Sequence, residues 1–221
     1  MKNFLIATVL LVLIFGCSTK NDDNPETKIL SDPEMIAKAY GIDNFNKVKQ
    51  LQYTFNVSRN DTLLVARTWL WNKESDEITL IDNQDTVTYH QANITDELKK
   101  VDHRFINDKY WLLFPFQLVW DSNMTYKNMG AQKAPISGNK LLKLIIQYGN
   151  EGGYTPGDAY DLYLDENWII REWEFRKSGK ESPGSAITWE GYAEFNGITI
   201  ATDHYNNNSG LRIYFSDIKF E

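Results

Sequence analysis

The sequence predicts a mainly β protein of the α+β class, built on a single curved antiparallel sheet, or unclosed β-barrel, of about ten strands. Three observations predict this fold. Apolar and polar residues alternate over most segments of the chain, which is typical of half-buried strands. The dipeptide Asn196-Gly197 joins two such segments and favours a type I′ hairpin turn. One helical segment, Phe105 to Trp120, interrupts the strands, and we expect it to plug the concave face together with short helices.

The first 16 residues have the features of a lipoprotein signal peptide. Lys2 gives a basic start, and an apolar run extends from Phe4 to Phe15. At the helical rise this run reaches about 18 Å, well short of a bilayer core of about 30 Å, so it is typical of a secretory signal. Its end, Leu13 to Cys17, resembles the bacterial lipobox, in which the cysteine is lipidated. An ordinary signal peptide followed by a chance cysteine is the alternative.

Three regions follow from this interpretation: a signal peptide at 1–16, the lipidated Cys17 with a flexible tether at 17–31, and one domain at 32–221. The tether is small and polar, so it has too little apolar surface to fold. Lys20 and the acidic residues after it resemble the surface-export signal of Bacteroidetes lipoproteins, although a solvated linker explains them equally well. We expect an outer-membrane lipid anchor that faces either the periplasm or the cell surface.

Charge and cysteine content exclude several classes of protein. Removal of Lys2 with the signal peptide changes the net charge from −7 to −8, and no basic run remains, which argues against nucleic acid and against charge-driven adhesion to anionic lipid. Cys17 is the only cysteine, so the folded domain has no thiol for a disulfide, a metal or nucleophilic catalysis. The domain therefore depends on its apolar core for stability.

The predicted elements follow in chain order. Asp32, Pro33 and Gly41 mark the start and end of a first short helix, and a second begins at Asp43. The later helical segment should stop by Phe114, because proline disfavours helical conformation in the residue before it. The predicted strands lie at about 51–58, 63–71, 78–81, 86–89, 142–148, 160–164, 168–176, 187–195, 198–205 and 211–220.

A family resemblance rests on three stretches: Asn107 to Leu118, Thr155 to Asp158, and Tyr163 to Phe175. They resemble motifs of a group of uncharacterised Bacteroidetes lipoproteins that is similar in fold to the LolA/LolB carriers and lipoprotein-sorting proteins. The resemblance spans about Asp32 to the C-terminus. It implies an unclosed antiparallel barrel whose apolar concave face is covered by helices, with a cavity that receives acyl chains. Transfer of lipoproteins is an analogy of fold only.

No catalytic or metal-binding pattern stands out. His90, His103 and His204 lack a second ligand at metal spacing, and no nucleophile elbow is present. Glu172 and Glu174 share one face of a strand, where carboxylates usually meet solvent, although such a pair can also cleave glycosides. We therefore expect a non-enzymatic protein without a cofactor or a metal.

Aromatic residues are abundant, at 14% of the chain. Most should fill the interior of the curved sheet. Some could line a cavity mouth, and Arg67 could meet a headgroup or a carboxylate there. The predicted function is non-enzymatic binding of a lipid, an acyl chain or a lipidated peptide, with lipoprotein or lipid trafficking as the expected process. The alternative is a surface module for glycan or protein. The candidate ligand-binding residues are Arg67, Trp69, Trp71, Trp111, Phe114, Phe116 and Trp120.

Overall fold

The structure is a computed structural model that describes residues 29–83, 85–151, 155–181 and 183–221. The predicted signal peptide, Cys17 and most of the tether lie outside this part of the chain. The helices are α1 (Asp32–Ala39), α2 (Ile42–Phe45) and α3 (Lys99–Trp120), with 3₁₀ turns at Gln91–Asn93 and Lys177–Gly179. The strands are β1 (Gln50–Arg59), β2 (Thr62–Asn72), β3 (Glu77–Asp82), β4 (Asp85–His90), β5 (Met124–Lys133), β6 (Lys140–Tyr148), β7 (Ala159–Leu164), β8 (Ile170–Arg176), β9 (Ser185–Thr188), β10 (Glu190–Phe195), β11 (Ile198–Asn206) and β12 (Leu211–Phe220).

The strands of the described residues form two antiparallel ladders that are joined through one bent stretch of chain. The ladders run β10-β11-β12-β1-β2-β3-β4 and β5-β6-β7-β8-β9. Only Trp189 separates β9 from β10, and its N–H donates to the carbonyl oxygen of Arg171 at 2.8 Å. On the two sides of Trp189, β9 pairs with β8 and β10 pairs with β11. The two ladders therefore make one curved sheet whose free edges are β4 and β5. The predicted fold class, an unclosed antiparallel barrel with helices, is confirmed.

The strand count is twelve in the described residues, against about ten expected, and the extra strands have a physical explanation. Nine of the ten residues of β5 are exposed, so this edge strand shows no alternation of apolar and polar residues. The predicted strand at 187–195 is divided at Trp189 into β9 and β10. The sequence pattern reports burial, and a strand that faces water on both sides gives no such pattern.

Helix α3 connects the two free edges and continues through Pro115, so the prediction that it ends by Phe114 is wrong. The helix kinks instead, and Leu113 departs from helical geometry with φ −112° and ψ 16°. Proline removes one backbone hydrogen bond and bends a helix without always ending it. Phe114, Phe116 and Leu118 on the two sides of the proline are all buried, so core packing holds the kinked turn in place.

Two short helices seal one end of the sheet. Ser31 and Glu34 form a capping box that starts α1. The Tyr40 hydroxyl accepts the backbone N–H of Ile170 at 3.0 Å, which ties α1 to β8. Gly41, at φ +87°, lies against the turn between β10 and β11. In that turn Asn196 and Gly197 have φ of 52° and 77°, as the predicted type I′ hairpin requires.

Candidate functional site

An apolar cavity of about 260 Å³ lies between α3 and the curved sheet. Its wall combines side chains that alternate on strands with side chains one helical turn apart on α3, because both spacings place residues on one face. Most of the aromatic and aliphatic lining is buried, so the space is a recess that is partly open to solvent and is not a shallow platform. The lining residues are Asn107, Tyr110, Trp111, Thr155, Tyr160, Trp173, Phe175, Ser185, Ile187, Asn206 and Leu211.

Trp173 in β8 is the central residue of the cavity wall. Its ring centroid lies 4.7 Å from that of Trp111, 5.0 Å from Phe114, 5.0 Å from Tyr160 and 5.2 Å from Trp189. Rings at these separations attract each other beyond the burial of their area, by about 0.5–1.5 kcal/mol per pair. The wall is therefore a preformed and rigid surface for an apolar ligand.

The hydroxyl groups of the tyrosines in the wall are hydrogen-bonded within the protein. The Tyr110 hydroxyl donates to that of Tyr148 at 3.1 Å, and Tyr148 donates to Asp121 at 2.9 Å. The Tyr160 hydroxyl donates to Thr155 at 3.3 Å. Burial raises the pKa of Tyr160 to about 12, so this hydroxyl keeps its proton at neutral pH.

Of the seven residues predicted to bind ligand, Trp111 lines this cavity. Trp69, Phe114 and Phe116 are fully buried and pack in the core. Trp71 is half-buried against Phe105, at 5.8 Å between ring centroids. Trp120 is 38% exposed and packs against Phe45 at the end of α3. The structure thus separates the predicted set into one cavity residue and six that lie elsewhere.

Arg67 pairs with a carboxylate of the protein itself. Its guanidinium makes two hydrogen bonds to Asp108, of 2.9 and 2.8 Å, and Trp69 Nε1 donates to the same carboxylate at 2.9 Å. Asp108 is fully buried, and that burial raises its pKa while the Arg67 guanidinium opposes the shift. This cluster fastens α3 to β2 and occupies the polar atoms of two predicted binding residues.

Sequence reasoning did not assign Trp173, Tyr160 or Ile187 to the site. The sequence does contain a pattern that indicates Trp173, because Trp173 and Phe175 alternate with Glu172 and Glu174 along one strand and so share its apolar face. The carboxylates on the other face do not meet solvent as expected; each is 3% exposed. Glu172 accepts the backbone N–H groups of Ile136 and Ser137 at 2.7 and 2.9 Å, and Glu174 accepts that of Gly184. Both carboxylates are therefore engaged in holding loops over the outer face of the sheet.

A second opening lies beside the cavity. It is a groove of about 760 Å³ between α3, the chain after β4 and the loop that enters β7, and Thr155 lines both spaces. Lys109 is one of its two lining lysines, and burial lowers the pKa of this lysine. The groove is more polar than the cavity and is lined by Gln91, His103, Ile106, Lys109, Gln117, Asp121, Thr155, Pro156, Asp158, Lys177 and Ser178.

The described residues contain no group of three or more histidine, cysteine or acidic side chains that could hold a metal ion. His204 is fully buried, and burial lowers its pKa to about 4. It shares a hydrogen bond of 3.3 Å with the carbonyl oxygen of Thr188 and packs against Trp189 at 4.5 Å between ring centroids. His204 is thus a neutral part of the core beside the cavity wall. In this part of the chain, no helix has the length and hydrophobicity to traverse a bilayer.

The fold has the architecture that the resemblance to LolA and LolB implies: an unclosed antiparallel barrel with helices across its concave face. No protein-family model matches the chain, and no curated protein matches it.

Comparison with solved structures finds similar folds at high probability. A LolA superfamily protein from Nitrosomonas europaea is 9% identical with a TM-score of 0.49, over 87% of this chain and 94% of that one. A structure described as an outer membrane lipoprotein-sorting protein domain, from Vibrio parahaemolyticus, is 12% identical with a TM-score of 0.47, over 86% and 92%. A DUF1329 family protein from Desulfovibrio piger is 10% identical with a TM-score of 0.47, over 86% and 92%. At these identities and TM-scores the similarities define no activity.

Proposed function

We propose that the protein is a non-enzymatic envelope lipoprotein that binds one acyl chain in the cavity beneath α3. The observation that supports this proposal is the recessed apolar space bordered by Trp111, Trp173 and Ile187. Ligand sites in proteins are typically such concavities, with an apolar wall and a few polar groups at the rim. Here Asn107, Ser185 and Asn206 supply the polar groups among the lining residues.

The size of the cavity favours one chain over several. At about 260 Å³ it lies just below the range of about 300–1,000 Å³ that is typical of ligand pockets. The rest of the concave side is packed with buried aromatic side chains, including Phe105, Phe114 and Phe116. A ligand with several acyl chains would have to displace that packing, whereas a single chain enters space that already exists.

Lipidation of Cys17 would anchor the domain to the outer membrane, and residues 17–31 would serve as the tether. Each buried methylene of the anchor contributes about 0.8 kcal/mol to membrane affinity. Anchoring would hold the cavity within reach of the bilayer, which is the source of acyl chains. The glycan alternative calls for a flat aromatic platform, and the recessed shape of the cavity favours the acyl chain.

The proposal is tested with the mature chain, residues 17–221, produced without its signal peptide so that it carries no acyl group. Titration with linear alcohols of increasing length, followed by tryptophan fluorescence and by native mass spectrometry, should show binding of one molecule per chain. Each added methylene should tighten Kd about fourfold, from about 0.8 kcal/mol per methylene, until the cavity is full.

The variant Leu211→Trp places a bulky ring at the half-buried lining position in β12 and should abolish this binding. The matched control is Leu64→Trp, at a leucine of β2 that is 58% exposed and outside the cavity lining. Both variants should melt cooperatively. Equal binding by Leu211→Trp and the unsubstituted chain would refute the cavity as the site, as would affinity that does not depend on chain length.

A further inference from the structure

The polar groove and the apolar cavity are neighbours along α3. Asn107, Tyr110 and Trp111 border the cavity, while Ile106 and Lys109 border the groove, so adjacent faces of one helix serve the two spaces. Thr155 lines both spaces and accepts a hydrogen bond from Tyr160 of the cavity wall. A molecule with an apolar chain and a polar head would meet matching surroundings in this arrangement.

Lys109 is the feature of the groove that points to a ligand. Within the described residues no carboxylate lies within 4.0 Å of its Nζ, in contrast to Arg67 and Lys143, which pair with Asp108 and Asp161. Its Nζ lies 4.9 Å from the ring centroid of Trp71 and 5.0 Å from that of Phe105. Ring faces attract a cation, yet they leave its hydrogen-bond donors without an acceptor.

Among the described residues, no acidic residue of the groove pairs directly with Lys109, although Asp121, together with Asp102 and Asp76, opposes the lowering of the pKa of this lysine by burial. Asp121 accepts the Tyr148 hydroxyl at 2.9 Å, and Asp158 accepts the backbone N–H of Ser178 at 2.7 Å. Lys177 and His103 add two further basic side chains to the lining. An anionic group in the groove would give Lys109 the acceptor that the protein does not supply, and charged hydrogen bonds of this kind are the strong ones.

We propose that the groove binds the anionic head, a carboxylate or a phosphate, of an amphiphile whose single chain occupies the cavity, and that Lys109 is its main contact. This assignment rests on the proposed function and adds the class of ligand to it. It makes the protein selective for acidic amphiphiles over uncharged ones of the same chain length.

The test compares dodecanoate, dodecyl phosphate and dodecanol on the mature chain at pH 8, with Kd from tryptophan fluorescence. We expect both anions to bind at least tenfold more tightly than dodecanol, since a hydrogen bond to a charged group is worth at least that factor. The anion with the lower Kd shows whether the groove prefers a carboxylate or a phosphate. Lys109→Met should remove the preference for the anions, because it weakens their binding while the apolar cavity still binds the chain of dodecanol.

Lys100→Met is the matched control, because Lys100 is an exposed lysine of the same helix that does not line the groove. Lys109→Arg keeps the cation and should keep the preference. If Lys109→Met fails to fold, Lys177→Met at an exposed position of the groove should still weaken anion binding.

The outcomes separate the two proposals. Equal affinity of the unsubstituted chain for all three ligands would overturn the headgroup assignment and leave the acyl-chain site intact. A preference that survives in Lys109→Met, or that Lys100→Met lowers equally, would also overturn it. Failure of all three ligands to bind would overturn both the assignment and the proposed function.

Discussion

Replacement of Asp108 by alanine should destabilise the protein severely, although Asp108 lies in neither the cavity nor the groove. Its carboxylate is fully buried and accepts hydrogen bonds from Arg67, Trp69 and Asn107, at 2.8–3.0 Å. The Arg67 side chain is only 15% exposed. Asp108→Ala would leave this guanidinium and the Trp69 N–H in the interior without their shared acceptor.

The cost follows from that geometry. Removal of one partner of a buried ion pair costs about 3–5 kcal/mol, because the remaining charge is uncompensated. We expect about 4 kcal/mol for Asp108→Ala, and at about 2–4 °C per kcal/mol this lowers Tm by about 8–16 °C. Urea unfolding followed by circular dichroism gives the free energy of unfolding, and a thermal melt gives Tm.

Two further variants test the reasoning. Glu74→Ala removes a carboxylate whose ion pair with Lys49 is exposed, and it should cost less than about 1 kcal/mol. The double variant Arg67→Met/Asp108→Leu removes both buried charges together and should be more stable than Asp108→Ala alone. A free energy of unfolding for Asp108→Ala within about 1 kcal/mol of the unsubstituted protein would refute the account of this cluster as the fastener of α3.

Two other predictions concern the core and the α1–α2 junction. Burial lowers the pKa of His204 to about 4, so the unfolded chain binds a proton at this histidine more tightly than the folded chain does. The contribution of neutral His204 to the free energy of unfolding is therefore fully present above about pH 6.5, and about 3 kcal/mol of it is lost as the pH decreases towards 4. The variant His204→Phe should lack this part of the pH dependence in urea unfolding. If the free energy of unfolding depends on pH in the same way in the variant and in the unsubstituted protein, the prediction is wrong. Gly41→Ala should cost more than about 2 kcal/mol, because φ is +87° and a Cβ there would overlap the carbonyl oxygen of Gly197. Gly130→Ala is the control, because Gly130 has φ +67° but open space around the Cβ position. If Gly41→Ala and Gly130→Ala destabilise the protein equally, backbone strain accounts for the cost and the overlap with Gly197 does not contribute.

Features that depend on neighbours in sequence were predictable. The type I′ turn at Asn196-Gly197 follows from local backbone preferences. So does the start of the first helix, although the cap is Ser31, one residue before the predicted Asp32. Strands with one face in the core were predictable because burial alternates along them, as in β1. The almost fully exposed β5 and the continuation of α3 through Pro115 were not predictable. A strand that is exposed on both faces lacks that signal, and packing on both sides of the proline outweighs its local preference.

The sequence by itself determined the class of fold and an interior rich in aromatic side chains, because periodicity and composition are properties of the chain. The tertiary structure decided which aromatics border space and which fill it. Trp111 and Trp173 line the cavity, whereas Trp69 and Phe116 are packed on all sides. It also decided that Arg67 pairs with Asp108, while the Lys109 ammonium lies over aromatic rings with no carboxylate within 4.0 Å among the described residues. These outcomes depend on contacts between segments far apart in the chain, and no local pattern encodes where packing leaves a void.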